Sequence, residues 1–263
     1  MQLFAVDGAD AAAGLDRVFT ALDGRIGVVR ADGARLTGDG GTAALARADT
    51  RYDLEDGWRA AGSALTVRAA LERLAPDHEY AAVIGGSDLE APRIVVGGPH
   101  VDGAAVNADA VASLDVEAAV AAIEAAEPFE TLSSLVADVK RSASADRAGA
   151  IATFTGRVRE KDAPDDERTR YLEFEKYAGV ADRTMRSIEA ALEDSEGVLD
   201  VRLHHRTGRV DAGEDIVFVV VLAGHRREAF RTVEDGIDRL KDEVPLFKKE
   251  VTGAETFWVH DRE

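Results

Sequence analysis

Along the first part of the chain, apolar residues come in short blocks separated by glycine, proline and acidic clusters. Leu3-Phe4-Ala5-Val6 is one such block, followed by a glycine-containing turn. Leu15, Val18, Phe19 and Leu22 then recur at three- and four-residue steps, the spacing of a helix with one buried stripe. Ile26-Gly27-Val28-Val29, Tyr80 to Ile84 and Arg93 to Val96 read as further buried strands, and residues 57–75 as a helix. Strands and helices in alternation point to helices packed on a mostly parallel sheet, so a three-layer α/β unit is expected. An alanine-rich helical run, Ala118 to Ala126, follows. Glu127-Pro128 ends it, because proline cannot continue a helix and disfavours helix at the residue before it. That places a domain boundary near 127 and gives domains of 1–126 and 127–263.

The pattern then changes. Leu132, Leu135, Val136 and Val139 mark an amphipathic helix, and Gly149 to Val158 alternates as a strand, ending in Thr155-Gly156-Arg157-Val158-Arg159. Tyr171 to Tyr177 alternates strictly, as a half-buried strand does. A helix over 180–194 turns Met185, Ile188 and Leu192 inward, and Val201 to Arg206 is another strand. Ile216 to Leu222 is apolar at every position, the mark of a central strand buried on both faces. A helix from about 226 to 242 stops before Pro245, and short strands near 247–251 and 256–260 complete an α+β domain.

Composition narrows the chemistry. The 263 residues contain no cysteine, which removes disulfides, thiolate metal sites and cysteine nucleophiles. No run approaches 18 apolar residues, and the start Met1-Gln2-Leu3-Phe4 lacks a basic region, so neither membrane span nor signal peptide is expected and the cytoplasm is the expected location. Fifty acids against 32 bases give a net charge of −18, and only six of the bases are lysine. Such an excess suits a salty cytoplasm, where screening weakens self-repulsion, and it disfavours nucleic acid and anionic membrane as partners.

Against that background the positive charge is concentrated. It gathers at Arg157 and Arg159, at His204-His205-Arg206, at His225-Arg226-Arg227, and at Lys241 with Lys248-Lys249. Residues 1–126 contain no lysine, whereas three of the six lie between 241 and 249. Retained lysines can be solvated cations at a helix end, or groups whose lost proton lets them act as acid, base or nucleophile, which arginine cannot do. His204 and His205 fall on opposite faces of a strand and cannot readily chelate one ion; no His-Glu-x-x-His spacing or Gly-x-Ser-x-Gly elbow occurs. No metal and no cofactor is expected.

Six ordered segments carry a resemblance. Phe154 to Arg159, Leu172 to Tyr177, His205-Arg206-Thr207-Gly208 with Gly213-Glu214-Asp215, Gly224 to Phe230, Leu240-Lys241 through Pro245-Leu246-Phe247-Lys248-Lys249-Glu250, and Trp258-Val259 resemble the large, catalytic subunit of molybdopterin synthase. The resemblance implies an α/β hammerhead fold and a sulfurtransferase that converts cyclic pyranopterin monophosphate to molybdopterin. The two sulfurs would come from the C-terminal Gly-Gly thiocarboxylate of a small ubiquitin-like subunit, with a homodimer of the large subunit inside a heterotetramer. It implies Lys241 and Lys248 as catalytic, and Arg157, Val158, Arg159, His225, Arg226, Lys241, Lys248, Lys249 and Glu250 as substrate-binding, with His225 and Arg226 reaching the phosphate from across the dimer. Phe247 stands where relatives often have tryptophan. Residues 1–126 resemble the P-loop adapter protein of molybdopterin-guanine dinucleotide biosynthesis, through the Gly8 to Gly14 loop, Asp56 to Gly62, and Ala82 to Gly86 with Pro92 to Val96. The phosphate-binding lysine is missing there: Gly14 is followed by Leu15-Asp16. The front half is thus expected to be a degenerate relative of that domain. The competing reading of the whole chain is a noncatalytic scaffold in molybdenum cofactor assembly.

Overall fold

The computed structural model describes residues 1–31, 50–54, 58–62, 64–85, 89–161, 163–177, 179–252 and 256–259. They form two compact units, Met1–Phe129 and Glu130–Glu263.

In the first unit, strands β1 (Gln2–Asp7) and β2 (Ile26–Arg30) are joined by helix α1 (Ala11–Ala21). Then come β3 (Thr50–Leu54), β4 (Trp58–Gly62), α2 (Val67–Leu74), β5 (Tyr80–Ile84), β6 (Arg93–Val96), β7 (Val106–Ala108) and α3 (Val116–Ala125). Five strands make one parallel sheet in the order β2-β5-β1-β6-β7. Central β1 is apolar because both its faces are covered. Phe4 and Val6 pack with Leu15 and Val18 of α1 and with Ala119 and Ile123 of α3. Leu3 packs the other way, with Leu71 of α2. The expected parallel α/β sheet is present, but the expected helix over 57–75 is not. Residues 58–62 instead pair antiparallel with β3 as a hairpin, and helix begins only at Val67, after Thr66 accepts the Ala69 N–H at 3.1 Å. Alanine-rich Arg59-Ala60-Ala61 has helical propensity; the pairing partner outweighs it.

The second unit comprises α4 (Leu132–Lys140), β8 (Ala150–Arg157), β9 (Thr169–Lys176), α5 (Val180–Glu193), β10 (Val198–His205), β11 (Gly208–Asp211), β12 (Asp215–Ala223), α6 (Arg226–Glu243), β13 (Leu246–Thr252) and β14 (Thr256–Val259). Its strands form two antiparallel sheets, ordered β10-β12-β8 and β11-β9-β13-β14. Strand β12 lies in the middle of the first. Its Val217, Val219 and Val221 pack with Met185, Ile188, Leu192, Ile237 and Leu240 of α5 and α6, while Phe218, Val220 and Leu222 face Leu135 and Val139 of α4. Burial on both sides explains the unbroken apolar run. Only Gly224 and His225 separate β12 from α6, so the helix must turn back along the sheet it has just left. Gly236 allows the close approach: a Cβ there would lie 3.0 Å from Val219 Cγ1.

Candidate functional site

The direction of α6 decides which charged groups can meet. It begins beside Ala223, which pairs with Ala150, and passes over Val219 at Gly236, so its last turn lies toward the end of the sheet where Asp215 pairs with Arg157. Lys241 is exposed in that last turn. The chain then passes buried Val244 and Pro245 and enters β13 at Leu246. Lys248 is the third residue of that strand, so the two lysines flank one corner.

Register settles the faces of β13. Lys248 lies opposite Phe174, Lys249 opposite Glu173, and Glu250 opposite Leu172. Directly opposed residues share a face and successive residues alternate, so Lys248 and Glu250 share the inner face with Phe174 and Leu172. Lys249 is on the other face, where its Nζ donates to Glu173 Oε2 at 3.0 Å. That hydrogen bond, with the Glu173 charge, raises the Lys249 pKa above the ordinary lysine value. Glu250 accepts a hydrogen bond from the buried Thr169 hydroxyl of β9. Lys248 and Glu250 are therefore brought together, and Lys249 is parted from them by the thickness of a sheet. Phe247, also on the outer face, meets Tyr177 edge-on at 5.5 Å.

The strand end at Arg157 reaches the same inner face. Val158 is 2% exposed and packs with Leu172, Phe174 and Val210. Phe174 is thus the hub: it contacts Val158, lies opposite Lys248, and meets the buried His205 ring at 4.8 Å. Arg157 is exposed but engaged, with Nε 3.1 Å from Asp215 Oδ1 and Nη2 donating to the Gly213 carbonyl. Arg159 is exposed immediately beyond buried Val158.

The Val158 backbone is pinned on both sides. Its N–H donates to the Glu214 carbonyl at 2.9 Å, and its own carbonyl accepts from Gly213 N–H at 2.9 Å. Gly213 has a φ of +86°, suiting a tight turn that a side chain would strain, and Glu214 N–H closes that turn onto the Asp211 carbonyl at 3.0 Å. The motif Gly213-Glu214-Asp215 is visible in the sequence, but its part in holding the Arg157–Arg159 strand end is not, because it depends on pairing across the fold.

His225 and Arg226 are exposed at the other end of α6, His225 as its N-cap and Arg226 as its first residue. Within one chain they do not join Lys241. The adjacent histidines divide as alternation requires: His205 is buried against Phe174, with Nδ1 2.7 Å from the Arg206 carbonyl oxygen, and His204 stacks on Phe218 on the opposite face.

In the first unit, the loop after β1 closes on β6. Ala9 and Asp10 N–H donate to the Gly97 and Val96 carbonyls at 3.3 and 3.1 Å, and a Cβ at Gly8 would overlap the Val96 carbonyl oxygen. A phosphate-binding loop aims such amides at the anion. Here two of them are already occupied.

The family model described as MoaE protein matches residues 110–243. A protein of Haloferax volcanii described as probable molybdopterin synthase is 47% identical over 264 aligned residues, covering the full length of both chains. The molybdopterin synthase catalytic subunit of Cereibacter sphaeroides is 37% identical over 138 residues, 52% of this chain and 90% of that one. The crystal structure of molybdopterin synthase from Staphylococcus aureus matches at a TM-score of 0.45 with 29% identity, covering 51% of this chain and 93% of that one.

Proposed function

The chain belongs to the MoaE family and is a molybdopterin synthase catalytic subunit, a sulfurtransferase of molybdenum cofactor biosynthesis, and from that premise we propose that its chemistry centres on Lys241 and Lys248. The observation that carries this is the corner between α6 and β13: Lys241 stands in the last turn of the helix, and Lys248 lies on the inner face opposite Phe174, against which the Arg157–Arg159 strand end packs.

The substrate is cyclic pyranopterin monophosphate and the sulfur donor is the C-terminal thiocarboxylate of a small ubiquitin-like subunit. Both are anions, and a pocket lined by amines and guanidinium groups holds them where a surface of net charge −18 would repel them. Lys241 meets the incoming tail and the sulfur-accepting carbon. Lys248 holds the substrate and assists proton transfer as the carbon–oxygen bond is replaced by carbon–sulfur. Arg159 contributes to the substrate phosphate or pterin. Val158, buried, and Lys249, paired to Glu173, hold the strands that present these groups.

His225 and Arg226 act on the phosphate from a second copy of the chain, so the working unit is a homodimer carrying a small subunit at each site, a heterotetramer. The first unit is a degenerate P-loop-like adapter domain that passes product onward. Its missing lysine and its occupied loop amides both argue against phosphate binding there. Unchanged cofactor production after deletion of residues 1–126 would count against the adapter role.

Single-turnover conversion at high salt, with the thiocarboxylated small partner supplied, tests the lysines. Dithiolene formation should be lost in Lys241→Ala and strongly slowed in Lys248→Ala. Wild-type rates in both variants would remove the assignment.

A further inference from the structure

Arg206 lies just past β10 and is not one of the groups that face substrate in the reading above. Its backbone N–H donates to the Ile216 carbonyl at 2.8 Å. Its side chain is 16% exposed and is directed at the turn between β11 and β12. One guanidinium nitrogen, Nη1, donates to the Asp215 carbonyl at 2.7 Å, and the other, Nη2, to Glu214 Oε2 at 3.1 Å. The same Glu214 oxygen accepts the Asp211 N–H at 3.3 Å. One planar fork therefore grips a backbone oxygen and a carboxylate on consecutive residues, which a single ammonium group could not span with the same geometry.

The gripped residues are the ones that hold the strand end leading to Arg159. Glu214 receives Val158 N–H through its carbonyl, Gly213 donates to the Val158 carbonyl, and Asp215 pairs with Arg157 Nε. The links run without a gap from Arg206 to Glu214 and Asp215, then to Val158, then to Arg159. The positive charge of Arg206 faces Glu214 rather than open solvent, so its contribution is geometric.

We propose that Arg206 is a positioning residue that, through Glu214 and Asp215, fixes the backbone presenting Arg159 to the substrate. The inference rests on the assignment of Arg159 to substrate binding. Loss of the fork frees the turn to shift, so Arg159 no longer meets the substrate in the geometry on which its contribution to binding depends.

The test measures kcat and KM for cyclic pyranopterin monophosphate with saturating thiocarboxylated partner, in wild type, Arg206→Ala, Arg159→Ala and the double variant. Arg206→Ala should raise KM about tenfold, the scale of a lost hydrogen bond to a charged group, and leave kcat within about twofold. In the Arg159→Ala background it should add little, because the group it positions is gone. Arg206→Lys keeps one of the two side-chain bonds and should restore part of the KM, and it stands in if Arg206→Ala does not fold. A defect of equal size in both backgrounds, or a fall in kcat with KM unchanged, overturns the proposal while leaving the Arg159 assignment in place. Unchanged KM in Arg159→Ala overturns that assignment, and the proposal with it. A purely structural defect would lower the folded fraction without this dependence on Arg159.

Discussion

Arg226 opens α6 and Lys241 stands fifteen positions further on, in its last turn. At about 1.5 Å of rise per residue, the two are roughly 22 Å apart along the axis. All helix side chains tilt toward the N-terminus, so Arg226 leans away from Lys241 by as much as Lys241 leans toward it, and the gap is unchanged. One protomer therefore cannot close both groups around a single pterin, whereas a twofold pair of protomers can. The consequence is measurable by complementation. Lys241→Ala and Arg226→Ala proteins, each inactive alone, are mixed, dissociated and allowed to reassociate. In a mixed dimer one site collects both lesions and the other neither. With random pairing about half the dimers are mixed, so about a quarter of all sites are intact and activity should return to about a quarter of wild type. If mixed dimers are verified by mass and no activity returns, the two groups serve the same site from the same chain and the reasoning fails.

Three further outcomes follow from the geometry. Burial pushes the Glu189 pKa above the ordinary carboxylate value of 4.5, although Leu203 N–H, donated at 2.7 Å, and the Arg202 charge oppose the shift. A raised acid is protonated more readily in the folded state, so stability falls as pH rises through the interval above 4.5, and the burden is fully present once the folded-state carboxyl has ionised. Glu189→Gln keeps an oxygen for Leu203 without the charge; it should raise Tm at neutral pH and change nothing below pH 4.5, and a lowered Tm at both would contradict this. Lys249→Ala should leave turnover within about threefold of wild type, since an ion pair on the outer, solvent-screened face contributes little and touches no reacting group; a defect matching that of Lys248→Ala would mean the outer face carries chemistry. Gly8→Ala forces a side chain onto the Val96 carbonyl at a φ of +107° and should destabilise the first unit by about 2 kcal/mol or more. Differential scanning calorimetry should show that loss with sulfur transfer unchanged, and an equal loss of turnover would tie the chemistry to the first unit.

Much of the fold could be read from local pattern because the causes are local. The run from Ile216 to Leu222 is apolar because β12 is buried on both faces, and α6 stops where Pro245 removes an N–H. Residues 58–62 have the local pattern of a helix but form a strand, because the strand depends on pairing with 50–54, which propensity does not encode. Strands β7 and β11, of three and four residues, are too short to show a period. The site divides in the same way. Lys241, Lys248 and the strand end at Arg159 stand out as cations in an acidic chain, but only register shows that adjacent Lys248 and Lys249 face opposite ways. The fork of Arg206 on Glu214 and Asp215 is likewise invisible in sequence, since it is formed by two strand ends that meet only in the folded sheet.

The most direct test of the account follows donor and product together. The full chain is mixed with substrate and thiocarboxylated small partner at high salt, and quenched samples are read for donor mass and for dithiolene. Two donor thiocarboxylates should become carboxylates for each molybdopterin formed, with both signals absent in Lys241→Ala. Donor that stays unconverted in a wild-type complex known to hold both substrate and partner would contradict the assignment of sulfur transfer to this corner of the fold.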